Sequence, residues 1–239
     1  MTNSSKAAKL SEAHDAHADH PSFVAHHFDT PVQQFDAAKL GMWVFIATEI
    51  LMFGGLFVAY GLFRGEEPSV FVAAHHELNK TMGALNTVVL LFSSLTAALA
   101  VRSAQVGKKN LTSAYLVITL VCACVFLVVK YFEYTHKIHE GFLPGRYFGH
   151  PNFDLNQIAH WEAPLPARAN VFFGLYFMMT GLHGLHVLIG MSILGWVLWR
   201  NIRGDFSKEY FTAVDLGALY WHLVDLVWIY LFPLLYLIG

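Results

Sequence analysis

Glu49 is the tenth residue of Leu40–Phe63, an apolar run long enough to cross a bilayer. A carboxyl group at that depth is costly unless it faces a bundle interior, a polar partner or a proton path. Further polar residues occupy similar depths on other apolar runs. His183 and His186 lie near the middle of 170–199, and His222 and Asp225 near the middle of 213–238. Within each pair the spacing is three, which places both members on one side of a helix. Asn86 and the Lys130–Glu133 pair fall closer to one end of their runs, and Asp215 near the opposite end.

Four chemistries compete for this set. His183, His186, His222 and Asp225 are enough side chains to ligate a metal. They match neither the HExxH zinc pattern nor the Glu-x-x-His pairs of a di-iron bundle. Facing histidines, His183 or His186 with His222, could hold a haem. A proton or ion pathway within the chain is the third reading. Against it stand the lack of an internal repeat and of any Gly/Pro-broken helix at mid-membrane. The fourth, which the residues favour, is a satisfied hydrogen-bond network that fixes the packing of a larger complex. On that reading Glu49 bonds a group on the fourth or fifth helix, His183 or His186 first among them. It leaves no catalytic residue and no metal ligand in this chain.

The elements that must position these residues are five helices. Of 239 residues 56% are hydrophobic and only 13% charged, with a mean hydropathy of +0.46. Soluble domains carry about 25% charged residues. Runs at about 40–63, 82–105, 111–135, 170–199 and 213–238 each reach the length of a span. Helix is the only open-chain conformation that satisfies its own backbone in lipid. The fold class is therefore all-α: an integral membrane bundle of five transmembrane helices over 39–239, after a polar, disordered arm at 1–38. Short links predict antiparallel neighbours. Small residues (Ser93 with Ala97, Ser94 with Ala98, Thr180 with Gly184, and Gly181) mark predicted helix contacts. The long loop 136–169, with Trp161 and other aromatics, reads as packed rather than disordered.

Charge sets the predicted orientation. The side of the N-terminus receives Lys6, Lys9, Lys39, Arg102, Lys108, Lys109, Arg200, Arg203 and Lys208. The other side receives Arg64, Lys80, Lys137, Arg146 and Arg168. Nine against five predicts a cytoplasmic N-terminus and an outside C-terminus. A net charge of −2 implies no nucleic-acid partner. Cys122 and Cys124, two apart on a helix, cannot pair and read as core residues. His14, His17 and His20 belong to the polar arm, where no apolar signal segment is visible.

These segments together resemble cytochrome c oxidase subunit III. LGMWVFIATEILMF (Leu40–Phe53) is similar to the family's glutamate-bearing helix, and LNT (Leu85–Thr87) to the opening of its next span. KYFEY (Lys130–Tyr134) resembles its acidic-aromatic helix end. TGLHGLHV (Thr180–Val187) and YWHLVDLVW (Tyr220–Trp228) resemble its two strongest signatures, and His26–His27 precedes the first span as a His pair does in longer members. The likeness runs in consistent order from about residue 26 to 239, in the five-helix form that lacks two N-terminal helices. Lipid sites on those two helices do not carry over, and 136–169 is longer than the family's usual link.

The resemblance implies a non-catalytic subunit of an aerobic haem–copper terminal oxidase in a bacterial cell (inner) membrane. Such a subunit stabilises subunit I, supports electron transfer from cytochrome c to O2 with proton translocation, and protects the enzyme during turnover. Haem and copper are then expected in partner subunits I and II, with none in this chain. Membrane lipids are direct partners, some of them structural, and cytochrome c an indirect one. A quinol oxidase or nitric-oxide-reductase-associated homologue is the alternative within the family. Glu49, where some quinol-oxidising relatives have Asp, tilts toward cytochrome c. A stand-alone proton-coupled transporter is the alternative outside it.

Overall fold

A computed structural model describes residues 23–160, 165, 166 and 168–238. His14, His17, His20 and Trp161 lie outside the described residues. Among these residues six α-helices follow in order: α1 (Pro31–Glu66), α2 (Pro68–His75), α3 (Lys80–Gln105), α4 (Lys109–His139), α5 (Ala169–Arg203) and α6 (Thr212–Tyr236). Five of them, all but α2, are long and apolar enough to cross a membrane, and no strand occurs among the described residues.

Local chemistry sets the helix ends. Thr30 caps α1, its hydroxyl accepting from the Gln33 N–H at 3.1 Å, with Pro31 in the first turn. The Asn79 side chain accepts from the N–H groups of Thr81 and Met82 at the start of α3. Gly204 ends α5 at φ 90°, a left-handed conformation that glycine adopts without a Cβ clash.

Helices α3, α4, α5 and α6 form a ring in which each packs on two others, and α1 lies outside it against α6 and, to a lesser extent, α5. Burial follows that arrangement. In the most apolar stretch of α6, 56% of residues are buried, against 11% in α1. Along α6 the buried Val214, Gly217, Trp221, Asp225, Trp228, Leu231 and Leu235 recur at steps of three and four. The first span is thus beside α6, and the expected pairing of α1 with the next span in sequence is corrected. The reason is polar: Lys39 pairs with Asp215 of α6 and the Tyr60 hydroxyl with the Leu234 carbonyl, whereas apolar surface alone selects no neighbour in lipid.

Three further expectations are revised. Residues 31–38, read as part of a disordered arm, form the first two turns of α1, because Thr30, Pro31 and Gln34 build a helix start there. The Gln34 side chain also ties back to Ala25 and Phe23. The link after the first span contains a helix of its own, α2, nucleated by Pro68 and buried through Val70, Phe71 and Ala74. The small-residue stripes are only half correct. Ser93 and Ala97 are buried, but Ala98 and Gly181 are exposed and Gly184 faces open space. The closest approaches fall elsewhere. A Cβ on Gly190 would sit 2.9 Å from the Trp221 ring, and one on Gly83 2.8 Å from Phe232. These glycines make room for the rings of α6.

In the segment 136–169, α4 continues to His139 and single 3-10 turns follow at Gly145–Tyr147 and Pro151–Phe153. Phe142 is fully buried and stacks on Phe173 at 4.4 Å. Phe142 thus anchors the start of this loop on α5, while Phe153, Leu155 and Ile158 farther along are exposed.

Candidate functional site

The two polar groups on the face between α1 and α5 meet. His186 Nε2 lies 3.0 Å from Glu49 Oε2, and both side chains are largely buried. The other ring nitrogen, Nδ1, is 2.8 Å from the Leu182 carbonyl, a pure acceptor, so Nδ1 carries a hydrogen. Nε2 then either accepts from a protonated Glu49 or, as imidazolium, donates to its carboxylate. Either way one proton is shared along this bond. The Phe53 ring packs edge-on at 5.2 Å and shields it.

This bond is one of three polar clasps that hold α1 against the bundle. Lys39 and Asp215 form an ion pair at 3.2 Å near the start of α6. At the far end the Tyr60 hydroxyl donates to the Leu234 carbonyl. The three contacts are ten and eleven residues apart on α1, about 15 Å each along the axis. A helix with so little buried surface is thus pinned at both ends and in the middle.

His183 does not join Glu49. It is buried between the Phe126 and Trp228 rings, at 5.5 and 5.4 Å, with neither nitrogen hydrogen-bonded among the described residues. Helices α4 and α6 converge there, so three residues of spacing separate two environments rather than one shared face. His222 turns the other way, its Nδ1 2.7 Å from Ser94 Oγ on α3. Asp225 and Asn86 are buried in the ring without a hydrogen-bond partner among the described residues, with Ser94 beside Asp225. Among the described residues no three His, Cys, Asp or Glu side chains converge as metal ligands. The sequence set His183, His186, His222 and Asp225 is dispersed over different seams.

A second constellation centres on Lys130 and Glu133 of α4. Lys130 Nζ donates to Glu133 Oε2 at 2.9 Å, and to the hydroxyls of Tyr176 and Tyr236 at 3.2 and 3.1 Å. Those hydroxyls donate in turn to Glu133 Oε1, at 3.0 and 2.5 Å. All three ammonium hydrogens are used, and both carboxylate oxygens accept. The ammonium also lies 5.3 Å from the Trp228 ring centroid and 5.1 Å from that of Tyr176. The sequence pointed to Lys130 and Glu133 but missed Tyr176 and Tyr236. Tyrosines near span ends read as interfacial anchors. The usable signal was an ion pair on a lipid-depth helix, which requires hydroxyl partners on its neighbours.

Comparison with known proteins bears on what this arrangement belongs to. The family model described as "Cytochrome c oxidase subunit III" matches residues 151–239. A protein of Thermostichus vulcanus named "Cytochrome c oxidase subunit 3" is 33% identical over 207 residues, covering 85% of this chain and 88% of that one. The chain belongs to the cytochrome c oxidase subunit III family. Helices α3–α6 with α1 alongside are thus a subunit III bundle, a multi-pass membrane component of a haem–copper oxidase complex. Similarity extends to the "Heme-copper oxidase subunit I+III" of Aeropyrum pernix, 28% identical over 85% of this chain and 23% of that protein. It also extends to the "Probable quinol oxidase subunit 3" of Staphylococcus saprophyticus subsp. saprophyticus, 27% identical over 84% and 89%. The matched family segment contains the end of the loop 136–169, both helices that carry His183, His186, His222 and Asp225, and the two tyrosines around Glu133.

Proposed function

We propose that this chain is a non-catalytic subunit III that stabilises subunit I of an aerobic terminal oxidase. The observation that carries the reading is α1. Trp43, Val44, Leu51, Val58 and Leu62 are exposed along it, more than half uncovered apiece. Its opposite side is held by the three clasps. A helix pinned this firmly with so much apolar surface left over suits lateral contact with another membrane subunit. A relative whose name joins subunits I and III supports subunit I as that neighbour. Haem and copper belong, on this reading, to subunits I and II, where the oxygen chemistry takes place. The chain's own work is to hold α1 at a fixed height and tilt. Lys39, Glu49 and Tyr60 set the height, and the Lys130–Glu133 cluster makes the α4–α5–α6 seam rigid.

The reading places the chain in a bacterial inner membrane with its N-terminus in the cytoplasm, as the charge asymmetry favours. Cytochrome c is the proposed indirect electron donor. The quinol oxidase relative favours quinol as the second reading. Both are tested on one sample. Tagged chain is purified from membranes, and the haem content and oxygen uptake of the preparation are measured with reduced cytochrome c and with quinol. Haem-bearing subunits at one copy per chain, with turnover on cytochrome c, are expected. Chain that purifies without haem and transports protons alone in liposomes would refute the subunit reading.

A further inference from the structure

The α4–α5 seam opens to the membrane on the side that carries 136–169. The groove there has a volume of about 400 Å³ and runs from Leu188 up to Tyr134 and Thr180. Its α5 wall is bare at Gly181 and Gly184, where a Cβ would meet nothing nearer than the Tyr134 hydroxyl at 3.8 Å. Phe126 and Leu127 line the α4 wall, and the lining is overwhelmingly apolar.

The groove is short. At its upper end the Tyr134 hydroxyl and Thr180 Oγ1 are hydrogen-bonded at 2.5 Å. Its lining stops at Leu188 and Phe126; thirteen residues farther along each helix, near the other membrane surface, Asn201 of α5 donates to the Lys109 carbonyl and to Ser113 Oγ of α4, at 2.9 and 2.8 Å. The open stretch from Phe126 to Tyr134 is eight residues of helix, about 12 Å. That is close to one leaflet, half of a hydrocarbon core of about 30 Å. A transmembrane helix of a partner would need a seam open over the full thickness. A hydrocarbon chain entering from one leaflet needs only this.

A cation stands above the groove. Gly174 lies seven residues before Gly181 on the same face of α5, and Pro144 packs 3.9 Å from where its Cβ would be. Two residues on, Arg146 is exposed, its guanidinium 4.7 Å from the Tyr147 ring centroid. Among the described residues no carboxylate pairs with it. Lys130, which also lines the groove, has no hydrogen to spare.

We propose that the α4–α5 groove holds one acyl chain of an anionic phospholipid whose phosphate is taken by Arg146. The occupant comes from the bilayer leaflet on the side of 136–169. The site lies on the chain's own surface, on the seam next to the α5–α6 side where α1 is clasped, and rests on the oxidase reading only for the sample in which it is tested.

The test uses the purified oxidase complex in phosphatidylcholine bilayers containing phosphatidylglycerol spin-labelled on its acyl chain. Electron paramagnetic resonance counts the motionally restricted lipids per haem. Gly184→Leu fills the groove from its α5 wall, and Leu188→Trp fills it from its inner end. Each is expected to remove one restricted lipid per complex while haem per chain stays unchanged. Arg146→Gln is expected to lower the preference for phosphatidylglycerol over phosphatidylcholine about fivefold. An unchanged lipid count in both filling variants, or a partner subunit's side chains seated in the groove, would overturn the proposal. An unchanged preference in Arg146→Gln would overturn the phosphate assignment. Haem lost from the wild-type preparation would count against the oxidase reading instead.

Discussion

Lys130 and Glu133 offer the sharpest test of how this bundle is held together. Their charges sit 2.9 Å apart with two tyrosine hydroxyls closing the ring. Removing one partner of a buried pair strands the other charge and costs about 3–5 kcal/mol. Glu133→Leu leaves Lys130 with two neutral acceptors, and Lys130→Met leaves Glu133 with two neutral donors, so each single change should fall in that range. Removing both leaves the tyrosines to bond each other in an apolar site. The double variant should therefore lie within about 1–2 kcal/mol of wild type, since well-packed apolar replacements of ion pairs are often neutral. The coupling energy, the double effect minus both single effects, is then several kcal/mol and negative. Tyr176→Phe serves as the control for an ordinary membrane hydrogen bond, at about 0.6–1.7 kcal/mol. The assay is reversible unfolding of the purified chain in mixed detergent micelles, followed by tryptophan fluorescence, with Trp228 as the nearest reporter. A double variant as unstable as the sum of its singles would show that the four groups are independent, and the closed-ring account would fail.

Three further predictions concern other parts of the chain. Glu49→Gln keeps a hydrogen-bonding group opposite His186, so the complex should assemble and pump protons near normally. Glu49→Leu strands the imidazole at a cost of about 1–3 kcal/mol and should loosen subunit association; loss of pumping in a fully assembled Glu49→Gln oxidase would mean that the pair relays protons. Gly190→Ala drives a Cβ into the Trp221 ring and should destabilise by about 1–3 kcal/mol, whereas Gly184→Ala faces open space and should not destabilise, as melting of the two variants will show. His75, on α2 outside the spans, is held below the usual histidine value by burial, partly opposed by its bond to the Val72 carbonyl and assisted by His76, Lys80 and Arg64. A lowered folded value means the unfolded segment binds the proton more readily, so α2 docking is complete above about 6.5 and weakens as pH falls below it. Protection factors over 68–75, corrected for the intrinsic base-catalysed exchange rate at each pH, should fall between pH 7.5 and 5.5 in wild type, and a pH-independent protection factor would contradict the assignment.

Hydropathy alone made the five spans legible, since lipid-facing and ring-facing residues are both apolar and the runs stand out by length. Neighbours were less legible. Loop length suggests that α1 lies beside α3, but α2 absorbs the link and returns the chain at a distance. What placed α1 against α6 is polar: Asp215 for Lys39, and the Leu234 carbonyl for Tyr60. A single carbonyl partner leaves no trace in a sequence.

The polar residues divide in the same way. Depth counting brought Glu49, His186, His183, His222 and Asp225 to one level. It could not assign them to seams, because residues at one depth can face different neighbours according to their position around the helix axis. His186 reaches α1 while His183, less than a full turn away, is enclosed by rings of α4 and α6. The distinction matters for mechanism. A shared face would have made a four-member constellation with the makings of a metal site or a proton wire. Dispersed over separate seams, the polar contacts that do form serve one interface each: Glu49–His186 for α1 on α5, His222–Ser94 for α6 on α3, Lys130–Glu133 for α4 on α5 and α6, while His183 and Asp225 have no hydrogen-bond partner among the described residues. In lipid, where apolar surfaces gain little by meeting each other, one satisfied polar contact per seam is what distinguishes one packing from its alternatives. That logic suits a subunit whose task is to present α1 to a neighbour, and it explains why the polar residues are spread along the bundle instead of gathered at one centre.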